Sequence, residues 1–458
     1  MFKKIKILSL MVCGSLLLAA CHDDNEQLTM GAPKQVSNVT SAIYGVMRGA
    51  GKPDDKKTDS EKAANKLFTS FGAPEIGSEK CQVKVYRMSY DTIGGAGEKA
   101  TSSGVFMLPY GDDPACNGSL PVMLYAHGTT VDKGYDLSRF IIDSGNAASK
   151  EAVLLLAAYA ANGYAVIAPN YAGYADSSLG YHPYVDEKQQ STEMIDALEH
   201  ARNYAGMLGA ELSPKLFISG LSQGGYVAMA THKALEAKGE TVTASLPISG
   251  PYAMLDFVDT IFAGYVNAGA TVFAPMILTS LQKSDGIYND ASEVYDAKYA
   301  GIAENFLPKL RAEGSDSVDR SALPGSAVFG GEPPTDANLF NKLGFADDHL
   351  LSDAFRQAYL SDVMNNRDTP VYKVRSLIAK RDLRNWQPGA PMMLCGVASD
   401  PVVYYLNTEA MVEYWAGNPY VSSVDMTEQM AGVPVIELHQ ATGAFCTGAA
   451  LKYFAKVM

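Results

Sequence analysis

Two hydrophobic rhythms alternate along this chain. Short, almost unbroken apolar runs occupy Pro121–Ala126, Tyr164–Pro169, Leu216–Ile218, Val242–Ile248, Pro391–Gly396 and Val433–Leu438. Continuous apolarity over so few residues predicts strands buried on both faces. Longer segments with apolar residues three or four apart lie between them, and predict helices over about 150–161, 194–208, 226–238, 407–415 and 443–457. Cys81–Asp91 and Thr101–Pro109 instead alternate apolar with polar, like two strands of a hairpin turning through Gly94, Gly95 and Gly97. No Gly-Lys pair and no helix follows those glycines, so the turn reads as a hairpin and not a phosphate loop. Strands alternating with helices predict a parallel sheet covered on both faces.

The alternation fails from about Leu255 to Trp386, where helical pieces and loops follow one another with no clear strand. At 458 residues and 47% hydrophobic content, the chain is long enough for one large domain with an insertion, or for two domains. The expected layout is a signal segment over 1–20, a polar leader over 21–80, a core built from 81–254 with 387–458, and a helical insertion over 255–386. No internal repeat is visible.

The N-terminus changes the picture of where the protein works. Lys3, Lys4 and Lys6 precede an apolar stretch from Ile7 to Ala20, too short to span a bilayer and shaped like a secretory signal. Leu18-Ala19-Ala20-Cys21 resembles a bacterial lipobox, which implies that Cys21 becomes the lipidated first residue. The expectation is an exported lipoprotein, held on a membrane by that anchor at the periplasmic face or the cell surface. The net charge of −13 becomes −16 once the three signal lysines are gone, which argues against nucleic acid and anionic membrane as partners. With Cys13 lost and Cys21 lipidated, Cys81, Cys116, Cys395 and Cys446 remain. Four thiols in an exported protein predict two disulfides, with three connectivities open. A Cys81–Cys116 bridge would tie the base of the hairpin.

Gly220-Leu221-Ser222-Gln223-Gly224 is the run that carries chemistry. A buried strand precedes it and a helix follows, so the serine sits on an abrupt strand-to-helix turn that pushes its side chain out at the end of the sheet. Gly220 and Gly224 are needed because a Cβ there would collide with the neighbouring elements. A serine hydroxyl is a poor nucleophile until an imidazole takes its proton and an acid holds that imidazole in the right tautomer.

The runs Leu124-Tyr125-Ala126-His127-Gly128-Thr129 and Ala168-Pro169-Asn170-Tyr171-Ala172-Gly173-Tyr174, the glycine-flanked serine, Gly396 with Asp400, and His439 together resemble the α/β-hydrolases. More narrowly they resemble the secretory-lipase group of esterases. The resemblance runs from Val83 to the C-terminus, apart from much of the insertion. It implies an eight-stranded, mostly parallel sheet, an active site at the strand ends, and a helical cap after the sixth strand. The family's chain order of serine, acid, histidine selects Ser222, Asp400 and His439, since only His439 follows Asp400. Asp256 and Asp259 are rival acids. His232 reads as a helix-surface residue and His349 as a surface or packing residue of the cap. Asp400 and His439 must meet, which brings their neighbours Cys395 and Cys446 within bridging reach.

The oxyanion donors implied are the backbone N–H of Gln223 and that of Thr129, with Thr130 as the alternative. His127 reads as structural, behind that loop. Tyr171, Tyr174 and Tyr184 are candidate pocket residues. No cofactor is expected, and no H-E-x-x-H or paired cysteine–histidine set suggests a metal. The function implied is a serine hydrolase acting on small or lipid-like carboxylic esters through an acyl-enzyme. A prolyl-type peptidase and a catalytically silent surface-binding protein on the same fold are the alternatives. Against the peptidase, the chain lacks room for a propeller domain and its elbow carries no Trp.

Overall fold

The computed structural model describes residues 31–39, 56, 80–141, 145–311 and 318–458. The signal segment, Cys21 and most of the leader lie outside the described residues. Nine strands form one sheet in the spatial order β1-β2-β3-β5-β4-β6-β7-β8-β9. These are β1 (Lys34–Val39), β2 (Gln82–Ile93), β3 (Lys99–Tyr110), β4 (Ser119–Ala126), β5 (Ala165–Pro169), β6 (Glu211–Leu221), β7 (Ala244–Ile248), β8 (Met392–Gly396) and β9 (Val421–Asp425). The first three run antiparallel to their neighbours, and the six from β5 to β9 are mutually parallel. The central strands β5 and β7 are buried at every position, as expected of strands covered on both faces.

Helices α1 (Ser149–Ala158), α2 (Glu187–Ala205) and α3 (Gln223–Ala237) cross between parallel strands. Helix α2 buries Met194, Ala197, Leu198, Ala201 and Ala205, the stripe its spacing predicts. Between β7 and β8 the chain leaves the sheet for α4 (Met254–Phe262), α5 (Ala270–Asp285), the short α6 (Ala297–Ala300) and α7 (Leu339–Lys342), then α8 (Asp353–Asn365) and α9 (Lys373–Lys380). It then rejoins the sheet and closes with α10 (Leu406–Tyr414) and α11 (Leu438–Val457).

Three expectations need correction. The sheet has nine strands and not eight, because β1 in the polar leader pairs with β2. It is an edge strand with four of its six residues polar, so it carries no apolar run. The insertion consequently follows the seventh strand. Val433–Leu438 is not a strand: Val435–Glu437 is a 3₁₀ turn, α11 begins at Leu438, and the last strand is β9. Pro434 lacks the N–H a ladder needs, and β9 is a half-exposed Val-Ser-Ser-Val-Asp edge with little apolar signal.

Both disulfides anticipated from sequence are present: Cys81–Cys116 and Cys395–Cys446. The first ties the start of β2 to the turn after β3. The second ties β8 to the middle of α11.

Candidate active site

Register across the sheet brings four strand ends to one edge. Ala126 lies beside Gly220, Leu221 beside Ile248, and Ile248 beside Cys395. The loops that leave β4, β6, β7 and β8 therefore emerge together. At the end of β6 the chain turns into α3 within one residue. Ser222 holds φ 61° and ψ −121°, a left-handed-side conformation that a non-glycine residue adopts only under constraint. Its N–H donates to the Ile248 carbonyl at 2.8 Å, and its carbonyl accepts from Tyr226 N–H at 3.1 Å. A Cβ on Gly220 would strike the Ala126 and Gly224 carbonyls, and one on Gly224 would strike the Ala126 carbonyl. Both glycines are required because backbone, and not a movable side chain, fills the space.

Asp400 follows β8 by four residues and is buried. Its Oδ1 accepts from Val402 N–H at 2.8 Å and Val403 N–H at 3.0 Å, while Oδ2 lies 2.7 Å from His439 Nδ1. That arrangement places the imidazole proton on Nδ1 and leaves Nε2 as the basic nitrogen. His439 is the second residue of α11. One turn further on, Gly443 packs directly on Leu221, the residue before Ser222; a Cβ there would lie 2.7 Å from Leu221 Cδ2. A further turn along, Cys446 is bonded to Cys395. The second turn of α11 is thus packed against the end of β6, the strand that leads into Ser222.

The rival acids are engaged elsewhere. Asp259 pairs with buried Arg375 at 2.7 Å and accepts from Tyr359 OH at 2.8 Å. Asp256 pairs with Arg384 at 2.5 Å. His232 is fully buried and not on the surface: it contacts Ser245 Oγ at 2.7 Å and Glu236 Oε1 at 3.1 Å. Its face of α3 is packed against β7, which its position in the helix alone does not reveal. His349 sits with Nδ1 2.9 Å from the Asp347 carbonyl and Nε2 3.7 Å from Asp353, within the insertion.

The two candidate oxyanion donors come from different elements, Gln223 from the start of α3 and Thr129 from the loop after β4. Gln223 opens α3, where the N–H has no partner within the helix. Thr129 lies in the irregular loop after β4, and its Oγ1 is 2.8 Å from Tyr184 OH. His127, fully buried, is stacked between Tyr135 and Tyr171 at centroid distances of 4.4 and 4.0 Å. Burial pushes its imidazole below its ordinary value, so the ring stays neutral.

A narrow cavity of about 100 Å³ opens beside Ser222 and Gln223. Its walls are apolar and come mostly from α4, α5, α8 and α9, with Phe257, Ile261, Phe273, Leu278, Phe329 and Phe355 among them. Tyr184 lines it. Tyr171 and Tyr174 do not, contrary to expectation. Both are fully buried behind the β4 loop, where Tyr171 OH donates to the His127 carbonyl and Tyr174 OH to that of Thr130.

Two features had no signal in residue spacing. Glu151 of α1 accepts from Tyr125 OH, Tyr135 OH and Gly128 N–H, and so clamps the β4 loop from behind. Gln223 Nε2 lies 2.6 Å from His182 Nε2.

Comparison with solved structures agrees with this architecture. No protein-family model and no curated protein matches the sequence. The ligand-bound rice cell wall degrading esterase LipA from Xanthomonas oryzae superposes with a TM-score of 0.72 at 25% identity, over 93% of this chain and 97% of that one. The protein has the α/β-hydrolase fold. A Legionella pneumophila protein described as a hydrolase shares that fold, with a TM-score of 0.68 at 18% identity over 93% and 97% of the two chains.

Proposed function

We propose that this protein is a serine carboxylic ester hydrolase working through an acyl-enzyme. The observation that supports the reading is the hydrogen-bonded Asp400–His439 pair, whose histidine is carried on the helix that packs against Leu221, the residue before Ser222. In the proposed reaction His439 Nε2 takes the Ser222 proton as Oγ attacks the ester carbonyl. The N–H groups of Gln223 and Thr129 receive the oxyanion. His439 then protonates the leaving alcohol, water repeats the sequence, and the acid is released. Asp400 stays ionised and stabilises the imidazolium that forms between these steps.

An ester is favoured over a peptide bond because the structural neighbour at 25% identity is an esterase. The apolar cavity beside Ser222 supports a hydrophobic acyl group. Hydrolysis of a p-nitrophenyl acyl series beside aminoacyl-proline amides tests the reading. Turnover of the esters with a pre-steady-state burst is expected. Turnover of the amides alone would overturn it.

Export and lipidation at Cys21 are proposed with it, supported by two disulfides, which belong in oxidising compartments. Cys21→Ser should move the protein from the membrane fraction to the soluble one.

A further inference from the structure

The loop from Asn170 to Asp186 holds more constraint than its length requires. Five non-glycine residues in the described chain have positive φ: Tyr171, Ala175, Val185, Ser222 and Ser249. Three of the five belong to this loop. Val185 is β-branched, for which that region is a true outlier. Gly173, at φ 95°, lies so close to the returning strand of the loop that a Cβ would strike the Tyr181 carbonyl. Strained backbone persists only where its surroundings over-determine it. Two side chains of this loop reach the residues proposed to donate to the oxyanion.

His182 reaches Gln223, and Tyr184, two residues on, reaches Thr129. The protonation states along the first path follow from the partners. His182 Nδ1 lies 2.8 Å from the Ala172 carbonyl, which can only accept, so Nδ1 carries the proton. Nε2 is then a lone pair and takes a hydrogen from Gln223 Nε2 at 2.6 Å. Turning the Gln223 amide over would set two acceptors against each other, so its orientation is determined. Burial pushes the His182 imidazole down to about 3, which keeps that lone pair available wherever His439 can act as a base. Along the second path, Tyr184 OH is 2.8 Å from Thr129 Oγ1. The same residue's carbonyl accepts from buried Arg381, which also reaches Asp186 and, on the cap helix α5, Ser280.

We infer that His182 and Tyr184 are positioning residues for the oxyanion hole, each fixing by its side chain one of the two residues whose N–H groups receive the charge. His182 is buried and does not line the cavity beside Ser222; Tyr184 lines it, with its hydroxyl held at Thr129. The Gln223 N–H shares its peptide plane with the Ser222 carbonyl, which accepts from Tyr226 N–H at 3.1 Å, so what His182 adds is a fixed Gln223 side chain; Thr129 stands in a loop without regular structure, so its peptide plane is not set by secondary structure. One loop holding both sets the distance between the donors. Arg381 connects that loop to the cap.

This inference rests on the ester hydrolase reading, and the test separates the two. Kinetics with p-nitrophenyl butyrate and inactivation rates with an alkyl p-nitrophenyl phosphonate are measured on wild type, Ser222→Ala, His182→Leu, His182→Gln and Tyr184→Phe. Misplaced donors should lower kcat about 10- to 100-fold in His182→Leu and Tyr184→Phe, with KM within about twofold. Phosphonate inactivation, which passes through a tetrahedral centre, should slow by the same factor. His182→Gln keeps an acceptor for Gln223 and should recover most of the loss. If His182→Leu does not fold, Tyr184→Phe, which removes one oxygen and keeps the ring, decides. Wild-type turnover that Ser222→Ala abolishes, with kcat unchanged in Tyr184→Phe or a raised KM as its sole effect, overturns the positioning role alone. A wild type inert to both reagents overturns the hydrolase reading and this inference with it.

Discussion

Asp400 spends both carboxylate oxygens on fixed partners, two backbone N–H groups on Oδ1 and the imidazole on Oδ2. Asp400→Asn keeps the volume but can offer His439 an amide N–H, which favours the wrong tautomer. The expected result is a fall in kcat on the order of 10⁴-fold, by analogy with other triads, and a folded protein by circular dichroism. Gly224→Ala should behave differently: the new methyl meets the Ala126 carbonyl, and the variant should be recovered unfolded or not at all. His182 predicts a pH effect on stability. Its folded value is depressed to about 3, so below the ordinary histidine value of ~6.5 the unfolded chain binds a proton that the native one does not. Stability should therefore decline as pH falls from about 6.5 towards 3, by up to about 1.4 kcal/mol per pH unit from this one ring. Denaturant midpoints of wild type and His182→Gln between pH 4 and 7 should diverge in acid; parallel curves would contradict this.

At the scale of elements, the Cys395–Cys446 bond joins the strand before Asp400 to the helix that carries His439. Closing a loop of 51 residues removes unfolded-state entropy worth about 4 kcal/mol in the chain-entropy picture. The Cys395→Ala/Cys446→Ala variant should lose esterase activity at temperatures where far-ultraviolet circular dichroism is still native. The Cys81→Ala/Cys116→Ala variant, remote from Ser222, Asp400 and His439 in sequence, should lower Tm and leave kcat near wild type below it. Central elements were legible because burial on both faces writes a continuous apolar run, as in Ala165–Pro169. Edge elements were not. Strands β1 and β9 are exposed or half-buried at all but one position, and their polar side chains erase the signal. Val433–Leu438 looked like a strand on apolarity alone, with Pro434 the residue that argued against it. Of the site, the serine turn with its glycines was legible in the sequence, whereas pairing Asp400 with His439, which do lie in contact, leaned on the chain order that the resemblance implies. The aromatic loop could not be, because burial and not composition decides which tyrosines face the cavity.

Across the whole molecule, the insertion between β7 and β8 supplies most of the apolar walls of the cavity beside Ser222. Ala274 on α5 lines that cavity. Ala274→Phe should shorten the acyl preference, cutting kcat/KM for octanoyl esters at least 10-fold while acetyl esters are hydrolysed as before. Equal losses on both would mean that the cavity does not receive the acyl group. The central claim is that Ser222 is the nucleophile of an ester hydrolase. Intact and peptide mass spectrometry after treatment with an alkyl p-nitrophenyl phosphonate tests it most directly. The account predicts one adduct per chain on the peptide containing Ser222, lost together with esterase activity in Ser222→Ala. An adduct on another residue, or undiminished ester hydrolysis by Ser222→Ala, would contradict it.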